Sequence, residues 1–583
     1  MIPFIWERAE CDERSAMDLS RALGIEPMLG RLLAIRGMID PDQAARFLNP
    51  SLEHLHDPMR LADMPIAVDR LLAALARRER IAIHGDYDVD GITSTVILRR
   101  ALELLGGDVV HFIPHRLREG YGLQAEAVER LHADGVRVIV SVDCGIRSIA
   151  AARRAVELGL DLIVTDHHQP DEVLPPALAV INPKRIDCGY PDKNLAGVGV
   201  ALKLVQALCV KLGREKWLPA FVKIAAIGTL ADVVPLVGEN RIIAKLGLEL
   251  LSRGPHKIGL RALIEASGLS GRTIDSYHIA FMIAPRVNAA GRMSTPDIAA
   301  RLLLAADDAF EEEARALAEQ LNVENLRRRE EELQMVTDAR RRVETDPDVG
   351  AHSVLVVAED GWHRGVIGIV ASKLVELFHR PAVVISIEDG IAHGSCRSIP
   401  AFDMLRALEG CAPLFERFGG HRAAAGFSMD ATRVGELRRA LAAHADAHLG
   451  PDDLKPRLRV DGALTFRGLG GELVAQLAQL APFGAGNPRP SFQASAVEIA
   501  DGPRRLKDRH LKMALKQNGR VFPAVAWRGA DYEDMLVANR GAVDLVFGLD
   551  QNEYGGQSYL ELSVLDARPP QADAPAASMD SDG

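Results

Sequence analysis

Cysteine, aromatic residues and positive charge are all in short supply in this chain. The six cysteines among 583 residues, Cys11, Cys144, Cys188, Cys209, Cys396 and Cys411, are scattered, and no two stand at Cys-x-x-Cys spacing. That excludes a disulfide scaffold or a structural zinc knuckle and predicts a reducing, cytoplasmic setting. Lys plus Arg total 69 against 80 Asp plus Glu, a net charge of −11. Such a balance argues against a surface that coats nucleic acid, but it leaves room for a local basic channel. No run reaches the roughly 18 apolar residues of a membrane span, and the start, MIPFIWERAECDER, turns acidic before a signal-peptide core can form. No membrane association is expected.

What is present is an ordinary core-forming composition, 48% hydrophobic and 26% charged. At roughly 150 residues per domain it predicts three or four domains. Residues 1–60 read as a leading segment of short helices. From Arg80 on, short apolar runs (RIAIHG, VVHFIP, VRVIVSV, DLIVTD, ALAVINP) alternate with helix-period stretches. That pattern predicts a parallel α/β sheet over 61–305, with functional residues just past the strands' carboxyl ends. The charged stretch 306–346 reads as a connecting helix, a coiled-coil contact being the alternative. HSVLVVAED opens a second, smaller α/β domain over 347–449. Evenly spaced strand-like runs over 457–566 predict a small β-barrel, and 567–583 a disordered polar tail.

The segment RIAIHGDYDVDGITS carries Asp86, Asp88 and Asp90, two apart and just after a strand. In an extended backbone that spacing turns all three carboxylates to one side, where they repel unless a cation sits among them. An EF-hand loop fails because its twelfth position is Ile97 rather than Glu, and because a strand precedes it. A helix N-terminus decorated with acids remains open, since ITSTVILRRALELL follows. Further ligand types stand where the next apparent strands end: Asp143 after VRVIVSV, Asp166, His167 and His168 after DLIVT, and Asp232 after IAAIGTL. All could converge on one sheet edge.

TDHHQP resembles the signature of the DHH phosphoesterase superfamily, and HGDYDVDG, SVDCG, DHH and ADVVPL resemble its four motifs in order. APRVNAAGR, GSCRS, GGHRAAAGFS and PFGAGNPRP are similar to segments of the RecJ family of single-stranded-DNA-specific exonucleases within it. The resemblance covers the chain except its tail. It implies a DHH-type parallel-sheet domain, a long helix, a DHH-associated α/β domain and an OB-like barrel. It also implies two Mn²⁺ or Mg²⁺ per active site, one held by His84, Asp88 and Asp143 and the other by Asp90, Asp143, His167 and Asp232. Oxygen and imidazole donors suit those ions, and a bridged pair suits in-line phosphodiester cleavage. Asp143, Asp86 and His168 are the expected catalytic groups. Asp86 and Asp166 could orient ligands or metal-bound water, and His168 could donate to the scissile phosphate or transfer a proton.

For substrate choice, Ser395 and Arg397 of GSCRS and Gly419, Gly420 and His421 of GGHR are the expected phosphate contacts, although GGH also reads as a plain turn. Of Arg286, Asn288 and Arg292 in APRVNAAGR, the resemblance favours Arg286. Arg116 is a weaker candidate on a basic loop. The stretch Arg504–Arg520 forms a basic strip, with Phe522 and Trp527 nearby for base stacking; a solvated hairpin is the alternative.

The expected activity is 5′-to-3′ degradation of single-stranded DNA to mononucleotides, in recombination and repair. By resemblance the expected partners are single-stranded DNA, a single-strand-binding protein, a RecQ-type helicase and mismatch-repair factors. Two rival readings stand against it. A phosphodiesterase of short oligoribonucleotides or cyclic dinucleotides would lack the barrel, and an inactive DNA-binding scaffold would have lost ligand positions that are all occupied here.

Overall fold

The computed structural model describes residues 2–116, 118–120, 122–554 and 557–570. They form two compact units, one of residues 50–454 with 484–486, the other of the chain's two ends, up to 49 and from 455 on. The expected leading segment is therefore not a separate piece. β1 (Ile5–Arg8) pairs in parallel with residues 457–460, and the Trp6 indole donates to Asp566. Short helices Glu13–Leu23 and Pro41–Leu48 follow, started by the side chains of Asp12 and Asp40.

In the larger unit β2 (Arg80–Gly85), β3 (Val109–Phe112), β4 (Val136–Val142), β5 (Asp161–Thr165) and β6 (Ala179–Ile181) make one parallel sheet in the order β3-β2-β4-β5-β6. These strands are short and nearly continuously apolar, as a sheet covered on both faces requires. Register decides where the chemistry emerges. Gly85 lies opposite Val142, Val142 opposite Thr165, and Thr165 opposite Ile181. The next residues, Asp86, Asp143, Asp166 and Asn182, thus leave the sheet side by side along one edge.

One expected strand end is not a strand. IAAIGTL lies inside helix Leu218–Ala231, and Asp232 is that helix's C-cap. The helix is buried on nearly every side, so its apolar run carries no period that would separate it from a strand.

Helix Glu311–Thr345 is the expected connection. Its buried residues fall into two groups, Ala314 to Asn325 and Met335 to Val343, with none between. The apolar members of the first group join the core of the parallel-sheet domain, and those of the second join that of the next domain. There β7 (Leu355–Asp360), β8 (Ala382–Glu388), β9 (Ile391–Arg397), β10 (Arg417–His421) and β11 (Ala424–Asp430) form a sheet in the order β10-β11-β9-β8-β7.

The smaller unit adds β12 (Arg457–Val460), β13 (Gly462–Ala463), β14 (Phe492–Leu506), β15 (His510–Gln517), β16 (Arg520–Ala526), β17 (Val543–Tyr554) and β18 (Gln557–Arg568). Pairings β14-β15-β16-β18-β17, with β17 returning to β14, close a five-stranded barrel. Strand β16, RVFPAVA, is not among the strand-like runs legible in the sequence (RLRVDGALT, FQASAVEIADG, HLKMALKQNG, AVDLVFGLD and SYLELSVLDA), because Pro523 interrupts the pattern. Ala567 and Arg568, assigned to a disordered tail, are rungs of β18 opposite Leu545 and Asp544. The rest of the expected tail, from 571 on, lies outside the described residues. No helix among the described residues is long and apolar enough to cross a membrane.

Candidate metal centre and anion cluster

The three aspartates of HGDYDVDG do not share one extended face. Asp86 follows β2, and Asp88 is the N-cap of helix Val89–Leu104, accepting from the Asp90 and Gly91 amides at 2.9 and 3.1 Å. Asp90 sits in that helix's first turn. The strand-to-helix turn therefore divides the set. Among the described residues, Asp86, Asp88 and Asp143 form one group with a ligand atom each within 4.8 Å of the others, and Asp90, His167 and Asp232 form a second. Asp143, His167 and His168 form a third, linking the two. The segment thus starts a helix with acidic residues and at the same time brings its aspartates into two clusters of candidate ligand atoms.

His84, expected beside Asp88 and Asp143, belongs to none of these groups; Asp86 takes that place. His84 is fully buried, with Nδ1 at 3.6 Å from the Cys144 Sγ and Nε2 without a hydrogen-bond partner. Asp86 Oδ1, Asp143 Oδ1, both ring nitrogens of His167 and Asp232 Oδ2 are likewise buried and lack hydrogen bonds. An isolated orphan of this kind costs about 1–3 kcal/mol, so a convergent set calls for a cation. The His167 Nε2 stands 3.3 Å from Asp143, 3.6 Å from Asp232 and 3.9 Å from Asp90.

Electrostatics agree with the geometry. Burial, then the neighbouring Asp88, pushes Asp90 up to about 7, and burial with Asp90 and Asp88 pushes Asp232 up to about 9. Asp86 and Asp143 are raised well above the ordinary carboxylate range by burial and by their acidic neighbours. Burial lowers His84 to about 4, and burial with His168 lowers His167 to about 3, which keeps both imidazoles neutral as ligands must be. The donor set is oxygen and neutral imidazole and fits Mn²⁺ or Mg²⁺. Cys144 is near, but burial raises its pKa well above the ordinary value and it stays a thiol.

Backbone groups fix these side chains. Both Asp90 oxygens accept amides at the start of helix Gly197–Lys211, from Gly197 and Val198, each at 2.7 Å. Gly197 also permits close approach, since a Cβ there would lie 2.3 Å from Asp143 Oδ1. Sequence reading passed over it, although the NLAGVGV glycines were a signal. Asp166 is not part of either carboxylate group. It accepts from the His167 and His168 amides, the His168 Nδ1 and the Ile146 amide, tying the loops after β4 and β5 together. Burial opposes its charge, but the His168 hydrogen bonds outweigh that and hold its pKa down. In return the carboxylate outweighs burial and raises His168.

Beside the acids lies a set of arginines. Burial, then Arg116, Arg328 and Arg397, lowers Arg292 to about 9. Arg116 lies over the Tyr87 ring at 5.0 Å, and Arg292 donates to the Gly365 carbonyl at 2.9 Å. Among the described residues none of Arg116, Arg292 and Arg397 makes an ion pair with a carboxylate, so their charge is available to an anion. Arg286, the favoured candidate, points elsewhere: it donates to Met282 O and to Asn322 on the long helix. Asn288 uses its amide oxygen on the Val89 N–H and pins the start of helix Val89–Leu104. In the second sheet Arg397 donates toward Ser395 Oγ at 3.4 Å. His421 stands two strands from Arg397 on the same rung, through Ala424, and Gly420 adopts φ +149° just before it.

Residues 80–229 match the DHH family, N-terminal domain, residues 351–446 the DHHA1 domain, and residues 460–566 the RecJ OB domain. Fold and site thus define a DHH-family protein with an appended DHHA1 domain. The single-stranded-DNA-specific exonuclease RecJ of Dickeya dadantii is 36% identical over 92% of this chain and 95% of its own length, and that of Bacillus subtilis 37% over 96% and 70%. A crystal structure of RecJ in complex with Mn²⁺ from Thermus thermophilus superposes with TM-score 0.83 at 33% identity, over 97% of this chain and 80% of that one; a Mg²⁺ complex gives 0.77. This chain belongs to the RecJ family.

Proposed function

We propose that this protein is a Mn²⁺- or Mg²⁺-dependent exonuclease that degrades single-stranded DNA to mononucleotides from the 5′ end. The observation that carries this reading is the meeting of buried, partnerless ligand atoms from Asp86, Asp143, His167 and Asp232 beside arginines without carboxylate partners. Two ions are expected: Asp86, Asp88 and Asp143 would hold one, with the unpartnered His84 Nε2 as a further candidate donor, and Asp90, His167 and Asp232 would hold the other, with Asp143 available to both. When bound, the ions supply Lewis-acid charge and a water acidic enough to attack phosphorus at neutral pH.

The chain's own groups do the rest. Arg292, Arg397 and Arg116 hold the phosphate oxygens by charge-assisted hydrogen bonds, with Ser395 and His421 on the same sheet face. His168, whose pKa Asp166 raises against the effect of burial, is placed to donate to the developing charge on the leaving oxygen. Asp90 is locked by the Gly197 and Val198 amides and cannot swing toward the phosphate. In this reading residues 61–305 carry the chemistry, 347–449 grip the substrate and 457–566 bind the strand. The 5′-to-3′ direction, the roles in recombination and repair, and partners such as a single-strand-binding protein, a RecQ-type helicase or mismatch-repair factors rest on family resemblance.

The deciding experiment digests 5′- and 3′-labelled single and double strands with Mn²⁺, using the wild type and Asp143→Ala. Mononucleotide release from the 5′ label of single strands, abolished in the variant while strand binding persists, is the expected result. Turnover retained by Asp143→Ala contradicts the assignment.

A further inference from the structure

β9 and β11 alternate along their length between a buried and a half-buried face. The buried face, with Ala392, Cys396, Phe427 and Met429, belongs to an apolar core. On the other face helix Ile367–Phe378 packs over β7 and β8 and sets Gly368 against Ser395 and Arg397. Beyond that helix the same face of β9, β11 and β10 is only partly covered. Register arranges it in rungs: Arg397, Ala424, His421; then Ser395, Gly426, Gly419; then His393, Ser428, Arg417. The first two hold the phosphate contacts assigned above, and the third has no role there. Rungs two residues apart are separated by about 7 Å, comparable to one nucleotide of an extended strand.

Around the third rung lies a cavity of about 490 Å³, bordered by Arg364, His393, Glu416, Arg417 and Ser428. Its floor is small: a Cβ on Gly426 would meet only the Gly394 carbonyl, at 3.4 Å. Arg417 is exposed and, among the described residues, has no ion-pair partner, while Arg364 has only Glu388 at 3.7 Å. Ile391, Phe418 and Phe427 complete the lining, and the exposed Phe418 ring beside these arginines offers a stacking surface next to phosphate contacts, the combination by which single strands are held. The cavity is also tied to the anion cluster, because Arg364 adjoins Gly365, whose carbonyl accepts from Arg292.

We propose that this rung is a further nucleotide subsite: Arg417 and Arg364 hold the phosphate of the nucleotide adjoining the one at Ser395 and Arg397, with its sugar over Gly426 and Ser428. Glu416 at the rim offers an acceptor to a base amino group. The subsite rests on the reading of this protein as a single-strand exonuclease.

The test measures kcat and KM with Mn²⁺ on oligodeoxynucleotides of increasing length, from a dinucleotide upward, for the wild type, Arg417→Ala and Arg417→Lys. Arg417→Ala is expected to raise KM several-fold on the longer oligomers and to leave the dinucleotide unchanged. It should also reduce the slope of log(kcat/KM) against log salt by about 0.7, the loss of one phosphate contact, and Arg417→Lys should restore most of both. An active wild type with Arg417→Ala unchanged on every length, or impaired equally on the dinucleotide, overturns the subsite alone. A wild type that cleaves none of the oligomers overturns the exonuclease reading, and the subsite with it.

Discussion

At the scale of single residues, the acids and imidazoles that converge were legible in the sequence and their grouping was not. Asp86, Asp88, Asp90, Asp143, His167 and Asp232 could be chosen because acids and imidazoles recur after apolar runs. Which acid joins which depends on the turn at Tyr87–Val89, whose dihedrals sequence spacing does not report. The two arginines of APRVNAAGR show the same limit. Both lie in helix Ala284–Met293, six residues apart, so they point about 120° away from each other. Arg292→Ala should therefore raise KM for single strands at least tenfold, while Arg286→Ala stays within about threefold; the reverse order would restore the sequence-based choice. Gly197 was invisible as a site residue because its role is to be small. In Gly197→Ala the new Cβ would sit 2.3 Å from Asp143 Oδ1, forcing that carboxylate to move. Mn²⁺ affinity should fall about 10- to 100-fold, the usual effect of disturbing a ligand's support, with a near-wild-type melting temperature. Calorimetric titration showing wild-type Mn²⁺ affinity would contradict this.

At the scale of elements, strands between helices were readable wherever burial on both faces left an unbroken apolar run. Failures came where that signal is ambiguous, as at IAAIGTL, or broken, as at Pro523. The basic strip of the barrel needed the fold most. Within it Arg504 pairs with Asp501, Arg505 with Glu533 and Lys516 with Glu498, so those charges are partly spent locally. Lys507, Arg509 and Lys512 have no ion pair among the described residues, and Arg520 lies over the Phe522 ring at 5.3 Å. Alanine at Lys507 and Lys512 together should weaken single-strand binding and lower the salt slope by about 1.4, two contacts at about 0.7 each. Alanine at Arg505 should change affinity less than twofold. Fluorescence anisotropy at several salt concentrations checks both, and equal effects would mean that pairing does not decide which cations meet the strand.

At the scale of the whole molecule, the acidic centre makes stability depend on metal and pH together. Unfolded carboxylates titrate near pH 3.9, whereas Asp90 and Asp232 in the metal-free fold titrate at about 7 and 9, with Asp86 and Asp143 also raised. The folded state thus binds protons that the unfolded chain has already released, and linkage makes the metal-free protein lose stability as pH climbs from about 4 toward 9. Divalent ions replace those protons, so their stabilisation should grow over the same interval. Melting curves of chelator-treated protein should accordingly shift down from pH 6 to pH 9, and saturating Mn²⁺ should raise the transition most at the alkaline end. A metal-free transition that is flat with pH, together with a Mn²⁺ shift of constant size, would mean that these carboxylates are not crowded as the geometry requires.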